Sequence, residues 1–362
     1  MHLRVRHVKT PLRSPFSNSA GSTVARSALI LELEHGGVTA LSECVAGDTP
    51  SFTGEDNATA LRDIRGFAGH LRDGPTSPDE FLERTERVEG RQMAKAAVEM
   101  VLWDYLAKRA GRPLDRALGR SRGYAETGIA IGLEDPSRMV SEAKEAVARG
   151  YKRVKVKVAR KGGVEALRRL REALPEFPLS ADANGCFSFP GDLPALKEID
   201  RFGLVYLEQP LGFGDLEGHA RLAKEVSTPI CLDETVLTLE GAEDALRIGA
   251  AEVINVKPGR VGGLSVAMEI ARMARGRRAH AWVGGMLETG VGRASNVALA
   301  SQPEFDYPGD TSPNDRYFER DIVRNPFEMR AGRLAPGEGP GIGVVVDAPA
   351  LEAFTVGTWE LL

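Results

Sequence analysis

The chain has 362 residues, of which 42% are hydrophobic, enough to bury a full core in more than one domain. Its 47 basic and 51 acidic residues are well mixed and leave a net charge of −4, which argues against a nucleic-acid or membrane-surface partner. Three cysteines, Cys44, Cys186 and Cys231, show no metal-ligand spacing and suit reduced thiols of a cytoplasmic protein. The first dozen residues carry His2, Arg4, Arg6, His7 and Lys9, so no signal peptide is expected, and no apolar run approaches the ~18 residues of a membrane span.

Residues 1 to about 50 read as β. Leu3–Val8 alternates, Ser27–Glu34 is a longer strand, and His35-Gly36-Gly37 is a turn before Val38–Glu43. Between the first two strands, Ser14–Thr23 has many small residues and no apolar period. It reads as a surface loop or as a mobile lid. Residues 57–118 read as helical, most clearly over Gln92–Lys108, with a stop near Gly111-Arg112-Pro113. Strands followed by helices predict an α+β capping domain over residues 1–120.

A different pattern follows. Lys157, Asp182, Glu208, Asp233 and Lys257 each sit at the C-terminal end of a short apolar run, at intervals of 25, 26, 25 and 24 residues. Helical spacing fills the gaps, as in Val164–Leu174. A strand, a helix and two short loops need about this length, so the chain reads as successive βα units. Thr127–Leu133 opens the series one interval earlier, Ala281–Gly285 follows one interval later, and Phe305–Asp310 supplies a last strand. The count predicts an α/β fold, a (β/α)7β TIM-like barrel over residues 121–320. The tail, 321–362, has lost the repeat and is expected to return to the cap.

In a parallel barrel the C-terminal strand ends face one pocket. Period-two alternation puts Lys155 and Lys157 on one side of their strand, and Ser180, Asp182 and Asn184 on one side of the next. Taken singly, a carboxylate at a strand end is a helix cap or salt-bridge partner, and a lone lysine is solvated. Five charges of complementary type, at one interval and of one parity, predict a reaction site. Three carboxylates without clustered histidine or cysteine suit a hard divalent ion, Mg²⁺ before Mn²⁺. Such an ion can bind a substrate carboxylate and stabilise the charge that develops when the adjacent carbon loses a proton. Lys157 and Lys257 would flank that carbon from strands two and six. Lys155 beside Lys157, and Arg260 beside Lys257, disfavour the protonated amines, while the carboxylates favour them. Pro258–Gly263 is Gly-rich but lacks the dinucleotide fingerprint.

These motifs resemble those of the enolase superfamily, in the muconate lactonizing enzyme subgroup. Lys155-Val156-Lys157 matches the family's Lys-x-Lys of strand two, Asp182, Glu208 and Asp233 match its metal ligands, and Lys257 matches its sixth-strand lysine. Lys257–Gly263, Gly284–Ala294 and Pro308–Ser312 are similar to the o-succinylbenzoate synthase and N-succinylamino acid racemase group. The resemblance implies Mg²⁺, a small carboxylate substrate, Lys157 as the base, and Lys257 stabilising an enediolate or, in a racemase, serving as the second acid–base group. It also implies binding or supporting roles for Lys155, Asn184, Glu234, Arg260, Gly285, Met286 and Glu288, with Ser19 and Arg26 contributed by the cap. The group's lid usually carries an aromatic–glycine pair, where this chain has Ser19-Ala20-Gly21-Ser22. The synthase, which dehydrates a cyclohexadiene carboxylate for menaquinone synthesis, is the first expectation and the racemase the alternative. A muconate cycloisomerase and a non-catalytic binding barrel rank below them. A dipeptide epimerase would carry an Asp-x-Asp pair where Met286-Leu287-Glu288 stands. Such barrels often form dimers or octamers, so a cytoplasmic homo-oligomer is expected.

Overall fold

The structure is a computed structural model that describes residues 1–18, 21–50 and 53–362. It opens with three antiparallel strands, β1 (His2–Asn18), β2 (Gly21–His35) and β3 (Val38–Cys44). Helices α1 (Asn57–Ala68), α2 (Pro78–Thr85), α3 (Gln92–Arg109) and α4 (Leu114–Leu118) follow. The first two starts have local causes. Asp56 accepts the Thr59 N–H in a reciprocal capping box, and Ser77 caps α2 ahead of Pro78. Helix α3 is apolar around most of its girth because it lies between β3 and the barrel, and its residues join Leu29, Leu31 and Leu33 in one core.

The segment read as a loop is mostly strand. β1 and β2 continue to pair beyond a register shift, through Phe16↔Thr23, Ser17↔Ser22 and Asn18↔Gly21. Cross-strand backbone bonds need no apolar alternation, so a polar ribbon of this kind leaves no periodic trace. Ser19, expected on the lid, lies outside the described residues.

Short β4 (Ala125–Glu126) leads into the repeat. Its strands are β5 (Ile129–Ile131), β6 (Val154–Lys157), β7 (Leu179–Asp182), β8 (Leu207–Glu208), β9 (Ile230–Leu232), β10 (Val253–Val256) and β11 (His280–Val283). They form one parallel sheet in sequence order. The intervening helices are α5 (Pro136–Ala148), α6 (Gly163–Ala173), α7 (Leu193–Asp200), α8 (Leu216–Leu222), α9 (Leu239–Arg247), the single turn α10 (Pro258–Val261) with α11 (Leu264–Gly276), and α12 (Gly290–Ala300). Among the described residues no regular eighth strand forms; residues 306–310 take its place as an irregular segment and close the curl. Asp306 and Asp310 donate N–H bonds to Ala281 and Val283 on one side, while Gly309 exchanges bonds with Glu126 and Gly128 on the other. Glycine is required at 309, because a Cβ there would lie 2.6 Å from the Val283 carbonyl oxygen.

Two apolar layers follow from strand alternation. Outward residues such as Val154, Val156, Ile254 and Val256 pack beneath the helices. Tyr206, Cys231, Val253 and Trp282 fill the lower barrel interior as a small separate cluster. The tail contributes β12 (Arg333–Leu334), paired with β4, then α13 (Ala348–Phe354) and β13 (Thr355–Glu360). β13 pairs with β1, Val5 facing Trp359, so the chain's last strand lies in its first sheet. Among the described residues, no helix is long and apolar enough to cross a membrane.

Candidate active site

Strand register assembles the site. Lys157 pairs with Asp182, and Asp182 with Glu208, so three charges stand side by side at the ends of β6, β7 and β8. Asp233 follows β9 directly. All three carboxylates are buried, and each offers an oxygen within 4.8 Å of the others. Such an all-oxygen group could hold a metal ion.

Every charge here faces an opposite one. Lys157 Nζ lies 2.6 Å from Asp182 Oδ2 and donates to Asn184 Oδ1 at 2.7 Å. Lys257 Nζ donates to Asp233 Oδ2 at 2.7 Å. Arg260 grips the same residue twice, through Oδ1 and the main-chain oxygen, both at 2.6 Å. Lys155 Nζ sits 2.8 Å from Glu208 Oε2, whose other oxygen accepts from Asn255 Nδ2 at 2.7 Å. Asn184 also donates to Glu234 at 2.8 Å, which ties the loops after β7 and β9 together.

The protonation tendencies follow from these contacts. Burial, reinforced by the Asp182 charge, pushes Glu208 up to about 8. Burial and the Asp233 charge raise Glu234 as well. Asp233 goes the other way: burial opposes its ionisation, but Arg260 and Lys257 outweigh burial and hold it well below the usual carboxylate range. Burial likewise works against the charged forms of Lys157 and Lys155, yet Asp182 keeps the first raised, and Asp310 with Glu208 keeps the second well above its ordinary value.

One cavity opens over this group. Of the residues singled out from sequence, Lys155, Lys157, Asp182, Asn184, Asp233, Glu234, Lys257, Arg260, Gly285 and Met286 line it. Glu208 lies beneath, fully buried. Arg26 and Glu288 are not on its wall. The Arg26 guanidinium turns to the Val45 carbonyl at 2.6 Å inside the cap. Glu288 holds the wall from behind, accepting from Met286 N–H at 2.7 Å and Asn296 at 2.8 Å, with Arg293 at 3.0 Å. Leu287, between them, is held at φ 58°, a left-handed conformation unusual for its side chain. Asp310, Arg293, Leu287, Tyr317, Ala130 and Thr23 also line the cavity and were not singled out. Asp310 carried a signal, since it ends the segment expected as the last strand, as the other charges end theirs. Leu287, Tyr317 and Thr23 had none, because loop geometry alone brings them there.

A parallel βα barrel with acidic residues and lysines converging at its C-terminal rim is an arrangement that could serve metal-assisted proton abstraction. Residues 1–119 match the family described as mandelate racemase / muconate lactonizing enzyme, N-terminal domain, and residues 138–350 match the enolase C-terminal domain-like family. The chain belongs to the enolase superfamily. It is 38% identical to an o-succinylbenzoate synthase of Geobacillus stearothermophilus, over 97% of this chain and 94% of that one. It is 40% identical to an N-succinylamino acid racemase of Thermus thermophilus, over 98% and 96%. A crystal structure of an enolase-superfamily member from Listeria innocua superposes with a TM-score of 0.96 at 36% identity, covering 100% of this chain and 98% of that one.

Proposed function

We propose that this chain is a Mg²⁺-dependent o-succinylbenzoate synthase whose pocket also supports N-succinylamino acid racemisation. The observation that carries the reading is the pair Lys157 and Lys257, at the ends of the second and sixth of the seven sheet strands and each bonded to a different carboxylate of one triad. Full-length similarity to both kinds of enzyme supports it.

The residues fit a divalent cation. Asp182, Glu208 and Asp233 offer only hard oxygen donors, and Glu208 is pushed up first by burial and then by the Asp182 charge, a push that a cation among these oxygens would offset. When bound, Mg²⁺ supplies positive charge for the substrate carboxylate and for the charge that builds there as the α-proton leaves. This chain's residues do the rest. Lys157, with its Nζ oriented by Asn184, takes the α-proton from one face. The electron pair left on the α-carbon delocalises into the carboxylate, and the β-hydroxyl then departs as water, its C–O bond breaking as the Lys157 ammonium returns the abstracted proton to that oxygen. The Lys257 ammonium stands on the opposite face. In racemisation it delivers a proton there, with Arg260 fixing Asp233 behind it. Burial works against the charged form of Lys157 but Asp182 favours it, and a cation held by the same carboxylate would weaken that pull.

Incubating the purified chain and Mg²⁺ with the cyclohexadiene substrate, and with N-succinyl amino acids in D₂O, tests the reading. Rapid dehydration is expected, with slower α-deuterium incorporation and racemisation. Racemisation alone would make the second activity the main one, and neither reaction would overturn the proposal. The same reading places the enzyme in the cytoplasm as a homo-oligomer, which light scattering on the purified protein checks.

A further inference from the structure

Asp310 is a largely buried carboxylate on the cavity wall to which the chemistry above gives no task. Its main chain is pinned at both polar groups: N–H donates to the Val283 carbonyl at 3.0 Å, and C=O accepts from Arg293 Nη1 at 3.0 Å. Its side chain meets two cations two residues apart on the inward face of the second strand. Oδ1 forms an ion pair with Arg153, and Oδ2 lies 2.7 Å from Lys155 Nζ. Beneath both cations is the Trp282 ring, 4.7 Å from the Arg153 guanidinium and 4.8 Å from the Lys155 ammonium.

Lys155 is therefore contested. Glu208 Oε2 is 2.8 Å away on one side and Asp182 Oδ2 3.5 Å away, while Asp310 holds from the other side at 2.7 Å. The three gathered carboxylates are a strong local sink for positive charge, and an ammonium with three donors and a flexible stem can fill it. Without an anchor, Lys155 would move further among Asp182 and Glu208 and neutralise the oxygens a divalent ion requires.

We propose that Asp310 is a positioning residue for the cation site: it holds the Lys155 ammonium toward the closing segment and so leaves Asp182, Glu208 and Asp233 negative enough to take a divalent cation. The idea rests on the triad being that cation's site. It assigns Asp310 no contact with the reacting atoms. Its effect appears in cation affinity before it appears in turnover.

The test is calorimetric titration of the metal-stripped full chain with Mg²⁺, repeated with Mn²⁺ followed by paramagnetic resonance. Asp310→Asn keeps the side chain's size and should weaken binding by about 10- to 100-fold, the range typical of groups that support metal ligands indirectly. Asp310→Glu should stay closer to the parent. The double variant Asp310→Asn/Lys155→Met has lost both the anchor and the ammonium it restrains, and should recover to within about threefold of the parent. Parent-like binding by Asp310→Asn would overturn the proposal. So would a double variant as weak as the single one, since the effect would then come from distortion of the closing segment. Should Asp310→Asn not fold, Lys155→Met alone decides: binding at least as tight as the parent supports the competition, and weaker binding overturns it. If the parent itself binds neither ion, the cation site is wrong, and this inference falls with it.

Discussion

The barrel mouth and the seam between cap and barrel both bury carboxylates, but they answer the burial differently. At the seam, Glu99 on α3 accepts the N–H groups of Leu264 and Ser265 at 2.9 and 2.8 Å and the Trp103 indole at 2.8 Å. Glu43 on β3 accepts from Thr289 and Gly292 at the start of α12. Each caps a helix from a distant strand or helix, mainly through backbone N–H groups, with the Trp103 indole added at Glu99 and the Thr289 hydroxyl at Glu43. At the mouth, Asp182, Glu208 and Asp233 face lysine ammoniums and their oxygens converge on one another. Carboxylates answered by backbone dipoles join two layers of the fold. Carboxylates answered by mobile cations around a cavity form a place where charge can be exchanged.

The sharpest way to break this contrast is at the mouth. Lys157→Ala should lower turnover by about 10³-fold or more, within or above the range of a lost general base, with unchanged circular dichroism and melting. Full activity would reject the base assignment. Lys257→Ala should abolish racemisation outright, while dehydration, which needs only a charge on that face, falls less. Equal losses would show that both reactions use it as an acid.

Removal of the cation comes next. Dialysis against a chelator should silence the enzyme, and Mg²⁺ should restore it. Glu208→Gln should bind Mg²⁺ more weakly by about two orders of magnitude, because it removes one of three anionic donors from a dry site. Glu99→Gln, a buried carboxylate of the seam, should leave Mg²⁺ affinity untouched. A matching loss in Glu99→Gln would erase the distinction between the two regions.

The seam has its own signature in pH. Burial pushes Glu99 and Glu43 each up to about 7, from an ordinary value of 4.5. The folded chain therefore holds these protons more tightly than the unfolded one. The stability they contribute is full below pH 4.5, falls as pH rises, and is lost by about pH 7. For each group the span is on the order of 3 kcal/mol. Glu99→Gln has no such titration, so its stability deficit against the parent should narrow between pH 5 and 8 in urea unfolding. A constant deficit would place the ionisation of Glu99 elsewhere.

The same contrast explains what could be read from sequence. The charges at the mouth were legible because a βα unit has a nearly fixed length and a strand a period of two, so Lys157, Asp182, Glu208, Asp233 and Lys257 recur in phase. The barrel itself follows from that recurrence. Glu99 and Glu43 had no such trace, since the backbone N–H groups they cap lie 165 and 246 residues away and could be supplied by any residue. The ribbon of β1 and β2 past Pro11 was missed for a related reason: its pairing is made by main chain, and its side chains keep no alternation.

The smallest expected effect tests a position where mouth and cap meet. Leu287 stands at φ 58° on the cavity wall, held by Glu288 through the neighbouring Met286 N–H. A left-handed leucine costs about 1–2 kcal/mol relative to its ordinary conformations, and glycine there would be free of that strain while adding about 0.5–1 kcal/mol of unfolded-chain entropy. Leu287→Gly should accordingly change stability by no more than about 1 kcal/mol. Its side chain, however, is part of the cavity wall, so KM should rise severalfold while kcat changes little. A large loss of stability would mean that Leu287 belongs with the seam, where packing decides. A rise in KM at unchanged stability would place the strained residue with the mouth, as a wall element that shapes binding without holding the fold.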